Sequence, residues 1–173
     1  MTALASRFLE SLTGHHLEAL KAFANKKTDG RVAYGTMCSG TDVASVCNTA
    51  MSGACTKAGI DLELRQNFAC EKDTTQQTFL MTAYPDLPQL FGDIADMVHG
   101  RAMNFMTEGD ETVSVVEGAT IGFPCTDVSG LNNNAKHETN RNCIANKNMR
   151  TGKVFSDILD FVKSAGDNIQ RCA

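Results

Sequence analysis

An apolar run from Arg31 to Cys38 (RVAYGTMC) passes directly into the small-residue turn Ser39-Gly40-Thr41-Asp42. An apolar stripe at helical spacing follows, made of Val43, Val46, Cys47, Ala50, Met51 and Ala54. This strand–turn–helix unit constrains the fold more than any other feature. A buried strand with a crossover helix behind it asks for a parallel neighbour. Thr41 or Asp42 is placed to cap the helix. The pattern then repeats. Leu62 to Cys70 reads as a second strand, with apolar residues 62, 64, 68 and 70 assigned to one face. Glu71-Lys72-Asp73 closes it, and a helix through Phe79, Leu80 and Ala83 ends before Pro85. Leu90 to Ile94 reads as a short third strand and its end. The alternation predicts an α/β fold, with a mostly parallel sheet and flanking helices.

The flanks of this core are less regular. Leu4, Phe8 and Leu12, then Leu17, Leu20 and Phe23 after a break at Thr13-Gly14, predict a helical lead-in over residues 1–30. The main domain is then expected over residues 31–173. Residues 95–112 read as polar and irregular, while Val113–Val116 and Ala119–Phe123 are strand-like. Asn132 to Asn148 is Asn-rich, carries Lys136, Arg141 and Lys147, and reads as a loop. The stripe Val154, Phe155, Ile158, Leu159, Phe161 and Val162 predicts a helix over 152–165.

Composition narrows the function. No apolar run approaches a bilayer span, and residues 1–14 lack the basic-then-apolar pattern of a signal peptide, so the expected setting is intracellular and not membrane-bound. The net charge of −4 gives no global basic character of the kind that marks nucleic-acid binders. The seven cysteines are odd in number and form no CxxC pair, which argues against a disulfide framework or a zinc site. His137 and Cys143 read as parts of a solvated loop rather than metal ligands, and His15-His16 as a helix start.

In an open parallel sheet, ligands collect at the carboxyl ends of the strands. There the sequence places the Ser39–Asp42 turn, Glu71, Asp93 and the Gly122-Phe123-Pro124-Cys125 segment, in that order. A small-residue turn lets backbone approach a ligand and offers free N–H groups at a helix start. An acid closing the next strand can accept from both ribose hydroxyls, and one closing the third can accept from an adenine amino group. Taken singly, such acids serve as helix caps or solvated charges. No GxGxxG occurs, and Glu71 lies 31 residues after Gly40 rather than about 20. A nicotinamide enzyme is thereby disfavoured, and an adenosine ligand without a pyrophosphate fits better.

The ordered segments MCSGTD, CEKD, LFGDI, GFPCTDVSG and RTGKVFSDILDFV resemble the opening motifs of the DNA cytosine-5 methyltransferases, over about Val32 to Ala165. That resemblance implies a Rossmann-like methyltransferase fold and S-adenosylmethionine as cofactor. It assigns cofactor binding to Met37, Cys38, Ser39, Gly40, Thr41, Asp42, Glu71, Lys72, Asp93 and Ile94, with Glu71 on the ribose and Asp93 on the adenine. It assigns catalysis to Cys125, aided by Pro124, which stiffens the loop. Cytosine C5 is a poor nucleophile until a thiolate adds to C6. C5 can then take a methyl group, and loss of its proton and of the thiol restores the ring. The partner implied is DNA, with the target cytosine flipped out of the duplex, and the location implied is DNA-associated, nuclear in a eukaryote.

Three departures shape the expectations. Asp42 and Val43 stand where the family usually has two further glycines, Thr126 replaces the Gln that commonly follows the Pro-Cys pair, and no Glu-Asn-Val occurs. In the family that Glu holds or protonates cytosine N3. The expectation is therefore an incomplete module with negligible methyl transfer by this chain alone. A complementing polypeptide would then complete it, and the open sheet edge is expected to favour self-association. The alternatives are a non-catalytic S-adenosylmethionine-binding or regulatory remnant, and an unrelated α/β protein.

Overall fold

The computed structural model describes residues 1–27, 29–122 and 144–171, with side chains to residue 165. The lead-in forms helices α1 (Thr2–Ser11) and α2 (Gly14–Asn25). The buried side of α1 is Ala5 and Leu9, with Leu12 packed beside them, while Leu4 and Phe8 are 68% and 53% exposed. The expected Leu4–Phe8–Leu12 stripe is thus not the packed face. The reason lies in the opposing helix α3 (Val43–Lys57), which presents Ala50 and Ala54, with Gly53 close to Thr2. Small residues on both helices allow close approach, and Ala5 fits there where Phe8 would not.

Four strands form one parallel sheet: β1 (Arg31–Met37), β2 (Glu63–Cys70), β3 (Leu90–Phe91) and β6 (Gly118–Ile121), in the order β3-β2-β1-β6. Helix α3 links β1 to β2, and α4 (Thr74–Ala83) links β2 to β3. The chain then crosses from one side of β1 to the other to lay down β6. This reversal of strand order opens a crevice between β1 and β6, as expected of a Rossmann-like arrangement.

The β1–β2 register shifts between Tyr34 and Gly35. Tyr34 faces Gln66 and Gly35 faces Phe68, so Asn67 is an extra residue in β2. A one-residue insertion reverses the alternation of a strand. The expectation that residues 62, 64, 68 and 70 share a face is accordingly overturned. Leu62 packs with α1 and α3, whereas Phe68 and Cys70 point into the opposite core with Phe91, Ile158 and Phe161. Gly35 makes this possible, because a Cβ there would stand 2.2 Å from the Phe68 ring. Phe68 in turn meets Phe91 and Phe161 edge-on, both at 6.1 Å between ring centres.

Residues 95–112 are more regular than their polarity suggested. They hold the end of α5 (Ile94–Met97) and an antiparallel hairpin, β4 (Arg101–Asn104) with β5 (Gly109–Thr112). Fully buried Asn104 pins the hairpin to β3. Its Oδ1 accepts from the Leu90 and Met106 amides, and its Nδ2 donates to the Pro88 carbonyl and Glu111. A buried polar residue in an apolar slot hid the strand alternation. Val113–Val116 is not a strand. The C-terminal helix α6 runs Arg150–Arg171, longer than its apolar stripe, and buries Ile158 and Phe161 under the sheet's second face. Among the described residues, no helix is long and apolar enough to cross a membrane.

Candidate functional site

Three turns meet at the carboxyl end of the sheet. The turn after β1 is tightly wound, with Cys38, Gly40 and Asp42 at φ 52°, 55° and 53°. The left-handed region costs nothing at Gly40 but disfavours Cys38 and Asp42. Hydrogen bonds hold the turn. The Asp42 amide donates to the Ser39 carbonyl (2.7 Å), and the Ser39 amide donates to the Cys70 carbonyl on the neighbouring strand (3.2 Å). The Asp42 carboxylate is 2% exposed as a residue and accepts from Thr36 Oγ1 (3.1 Å), Gln66 Nε2 (2.6 Å) and the Ser45 amide at the start of α3 (3.3 Å). It is a helix cap and a buried hub, and it faces away from the crevice.

The next two turns keep their acids at the crevice. Glu71 accepts from the Gly40 amide (2.7 Å) and the Asp73 amide (2.9 Å), so it ties the first turn to the second. Asp73 caps α4 through the Thr75 and Gln76 amides. Asp93 caps α5 through the Ala95 amide (3.1 Å) and pairs with Lys72 (2.5 Å). Burial pushes the Asp93 carboxyl up, but the Lys72 ammonium and the Ala95 N–H outweigh it and leave the group below its ordinary range.

These turns enclose a cleft of about 560 Å³. Cys38, Cys70, Glu71, Lys72, Asp73, Gly92, Asp93 and Ile94 line its strand-end side. Gly122 follows β6, and Arg150, Lys153, Val154 and Asp157 form the α6 wall. Burial first, then the charges of Glu71 and Asp93, push the Cys38 thiol up to about 11, so it is neutral at ordinary pH. On α6, the hydrogen bond to Asp157 (2.7 Å) raises the Lys153 ammonium above its ordinary value.

Of the residues expected to bind a cofactor, Cys38, Glu71, Lys72, Asp93 and Ile94 line this one cleft. Met37 and Asp42 do not. Met37 is buried in the core beneath, and Asp42 is turned inward by its left-handed backbone and its hydrogen bonds. Ser39, Gly40 and Thr41 form the flank of the cleft without lining it, although the Gly40 amide sits on Glu71. Pro124 and Cys125 lie outside the described residues, as do His137 and Cys143. The α6 wall was not assigned to the site from sequence. Its signal was present, since Arg150 and Lys153 place two cations in the first turn of a helix, against the helix dipole. Among the described residues, no group of three His, Cys, Asp or Glu side chains could hold a metal.

The arrangement offers a crevice of nucleoside size, with carboxylates at adjacent strand ends and an aliphatic edge from Ile94 and Val154. No protein-family model matches the chain, and no curated protein matches it.

Proposed function

We propose that the cleft binds an adenosyl ligand of the S-adenosylmethionine type and that the chain carries the cofactor site and nucleophile of a DNA cytosine-5 methyltransferase. One observation carries this reading. The stations that the motif resemblance orders along the chain (Cys38, Glu71, Lys72, Asp93 and Ile94) converge on one cleft, beside Gly122, which leads into the Phe123-Pro124-Cys125 segment.

Glu71 spends one lone pair of each carboxylate oxygen on a backbone amide. An ionised carboxylate has about four such sites, so ribose hydroxyls can donate to the remainder. Asp93 likewise retains capacity for an amino group beside Lys72. Ile94 and Val154 supply apolar contact for a base. When bound, S-adenosylmethionine supplies an electrophilic methyl group. The neutral Cys38 thiol in the same cleft is a poor competitor for that methyl group, because only a thiolate is strongly nucleophilic. Cys125 is the proposed attacking group on cytosine, as the motif resemblance implies.

A second reading, a non-catalytic adenosyl-binding module, draws support from the net charge of −4 and from the four carboxylates that line the cleft. Two measurements separate the readings. Calorimetry with S-adenosylmethionine is expected to show binding that Glu71→Ala weakens; no binding would reject both. Incubation with DNA containing 5-fluorocytosine and S-adenosylmethionine, with a complementing polypeptide supplied, is expected to trap a covalent complex that Cys125→Ser abolishes. Cofactor binding without any trapped complex would select the binding module.

A further inference from the structure

The charges lining the cleft are nearly all matched within the protein. Glu71 accepts from two backbone amides, Asp73 caps α4, Asp93 holds Lys72, and Asp157 holds Lys153. Arg150 is the exception. It lines the same cleft at the opening of α6, yet among the described residues its side chain makes no hydrogen bond or ion pair.

Among the described residues, none holds the Arg150 side chain in a structural contact. A cation in the first turn of a helix opposes the dipole and weakens the helix start. Arg150 is also exposed, so its stem adds no core packing. Local rules broken without a packing gain mark functional positions. What the residue does offer is a planar fork of five N–H donors, always charged, at the edge of a nucleoside-sized cavity. That fork matches an oxyanion in a bidentate way, and the anions already in the cleft are engaged elsewhere.

We propose that Arg150 anchors the anionic tail of the ligand that the cleft takes, the α-carboxylate of an adenosyl amino acid. This inference rests on the adenosyl reading above and adds a binding residue and a selectivity to it. Lys153 lies in the same turn but is neutralised by Asp157 one turn on, so it contributes general field rather than selectivity.

The test is calorimetry on the full chain with four ligands: S-adenosylhomocysteine, its analogue lacking the carboxylate, 5′-methylthioadenosine and ADP. The wild type is expected to bind S-adenosylhomocysteine about 10- to 100-fold more tightly than its decarboxylated analogue and 5′-methylthioadenosine, the range for a charged hydrogen-bonded contact. Arg150→Gln is expected to erase that difference while leaving the carboxylate-free affinities unchanged. Arg150→Lys recovers little of it, because a point charge does not reproduce the fork. Lys153→Gln shifts all four affinities together. A wild type that does not discriminate, or an Arg150→Gln that weakens every ligand equally, overturns the proposal. Preference for ADP lost only in Arg150→Gln also overturns it, by assigning the fork to a phosphate. If no adenosyl compound binds, the adenosyl reading itself fails, an outcome distinct from binding without discrimination.

Discussion

The turn after β1 and the turns after β2 and β3 lie at the same end of one sheet, and each carries an acid at or beside a helix start. They use it in opposite ways. Asp42 is buried, held by Thr36, Gln66 and Ser45, and spent entirely on the fold. Glu71 and Asp93 hold backbone amides as well, but their remaining lone pairs face a cleft. The difference teaches that a strand-end position does not decide whether a carboxylate serves the structure or a ligand. The groups that each carboxylate meets decide it, together with the backbone that they hold in place. A left-handed φ at Asp42 turns its side chain back under the sheet end, whereas extended backbone at Asp93 (φ −110°) leaves its side chain at the crevice.

The sharpest way to break this comparison is Asp42→Ala. It strands the Thr36, Gln66 and Ser45 donors in a buried site, and we expect a loss of about 3 kcal/mol in urea unfolding. Asp42→Asn should lose less, since Asn tolerates the left-handed region and keeps an acceptor. If Asp42→Ala left stability intact and removed adenosyl binding, the inward assignment would be wrong. Glu71→Ala should show the reverse balance. Binding of S-adenosylmethionine is expected to weaken about 10- to 100-fold, while release of the part-buried Gly40 amide and the exposed Asp73 amide costs about 1 kcal/mol.

Smaller effects sharpen the picture. Lys72 is 76% exposed on its side chain and Asp93 30%, so Lys72→Gln should change stability by under about 1 kcal/mol. Its signature is instead a rise of the Asp93 carboxyl toward the ordinary range, readable by carbon-detected NMR titration; an unmoved Asp93 would show that the pair is not maintained in solution. The last effect is confined to alkaline pH. The folded Cys38 thiol titrates near 11 against an ordinary value of 9, so it binds more protons folded than unfolded in that window. Its contribution is full below pH 9 and falls as pH rises toward 11. Cys38→Ser should flatten that part of the stability–pH curve, and an unchanged slope would refute the assignment.

Much of the frame was readable in advance. The strand–helix alternation, a cap at Thr41 or Asp42 and the order of Glu71 and Asp93 along the sheet end all follow from local pattern, and the structure selects Asp42 as the cap. The hairpin was not readable, because Asn104 occupies a buried slot that periodicity reserves for apolar residues. The packed face of α1 was missed because Ala5 and Leu9, not the larger Leu4 and Phe8, fit the small residues of α3.

What the amino-acid sequence determined by itself is therefore the set of elements and the chain order of the groups that end them. Those features depend on side-chain period, capping and turn chemistry within a few residues. Tertiary structure alone decided three things: the extra residue at Asn67 that sends Leu62 and Phe68 to opposite cores, the inward aim of Asp42, and the arrival of Arg150 and Lys153 opposite Glu71 and Asp93. Each is a contact between segments far apart in the chain. Such contacts are set by how volumes and hydrogen bonds are satisfied across the whole core, which no local pattern encodes.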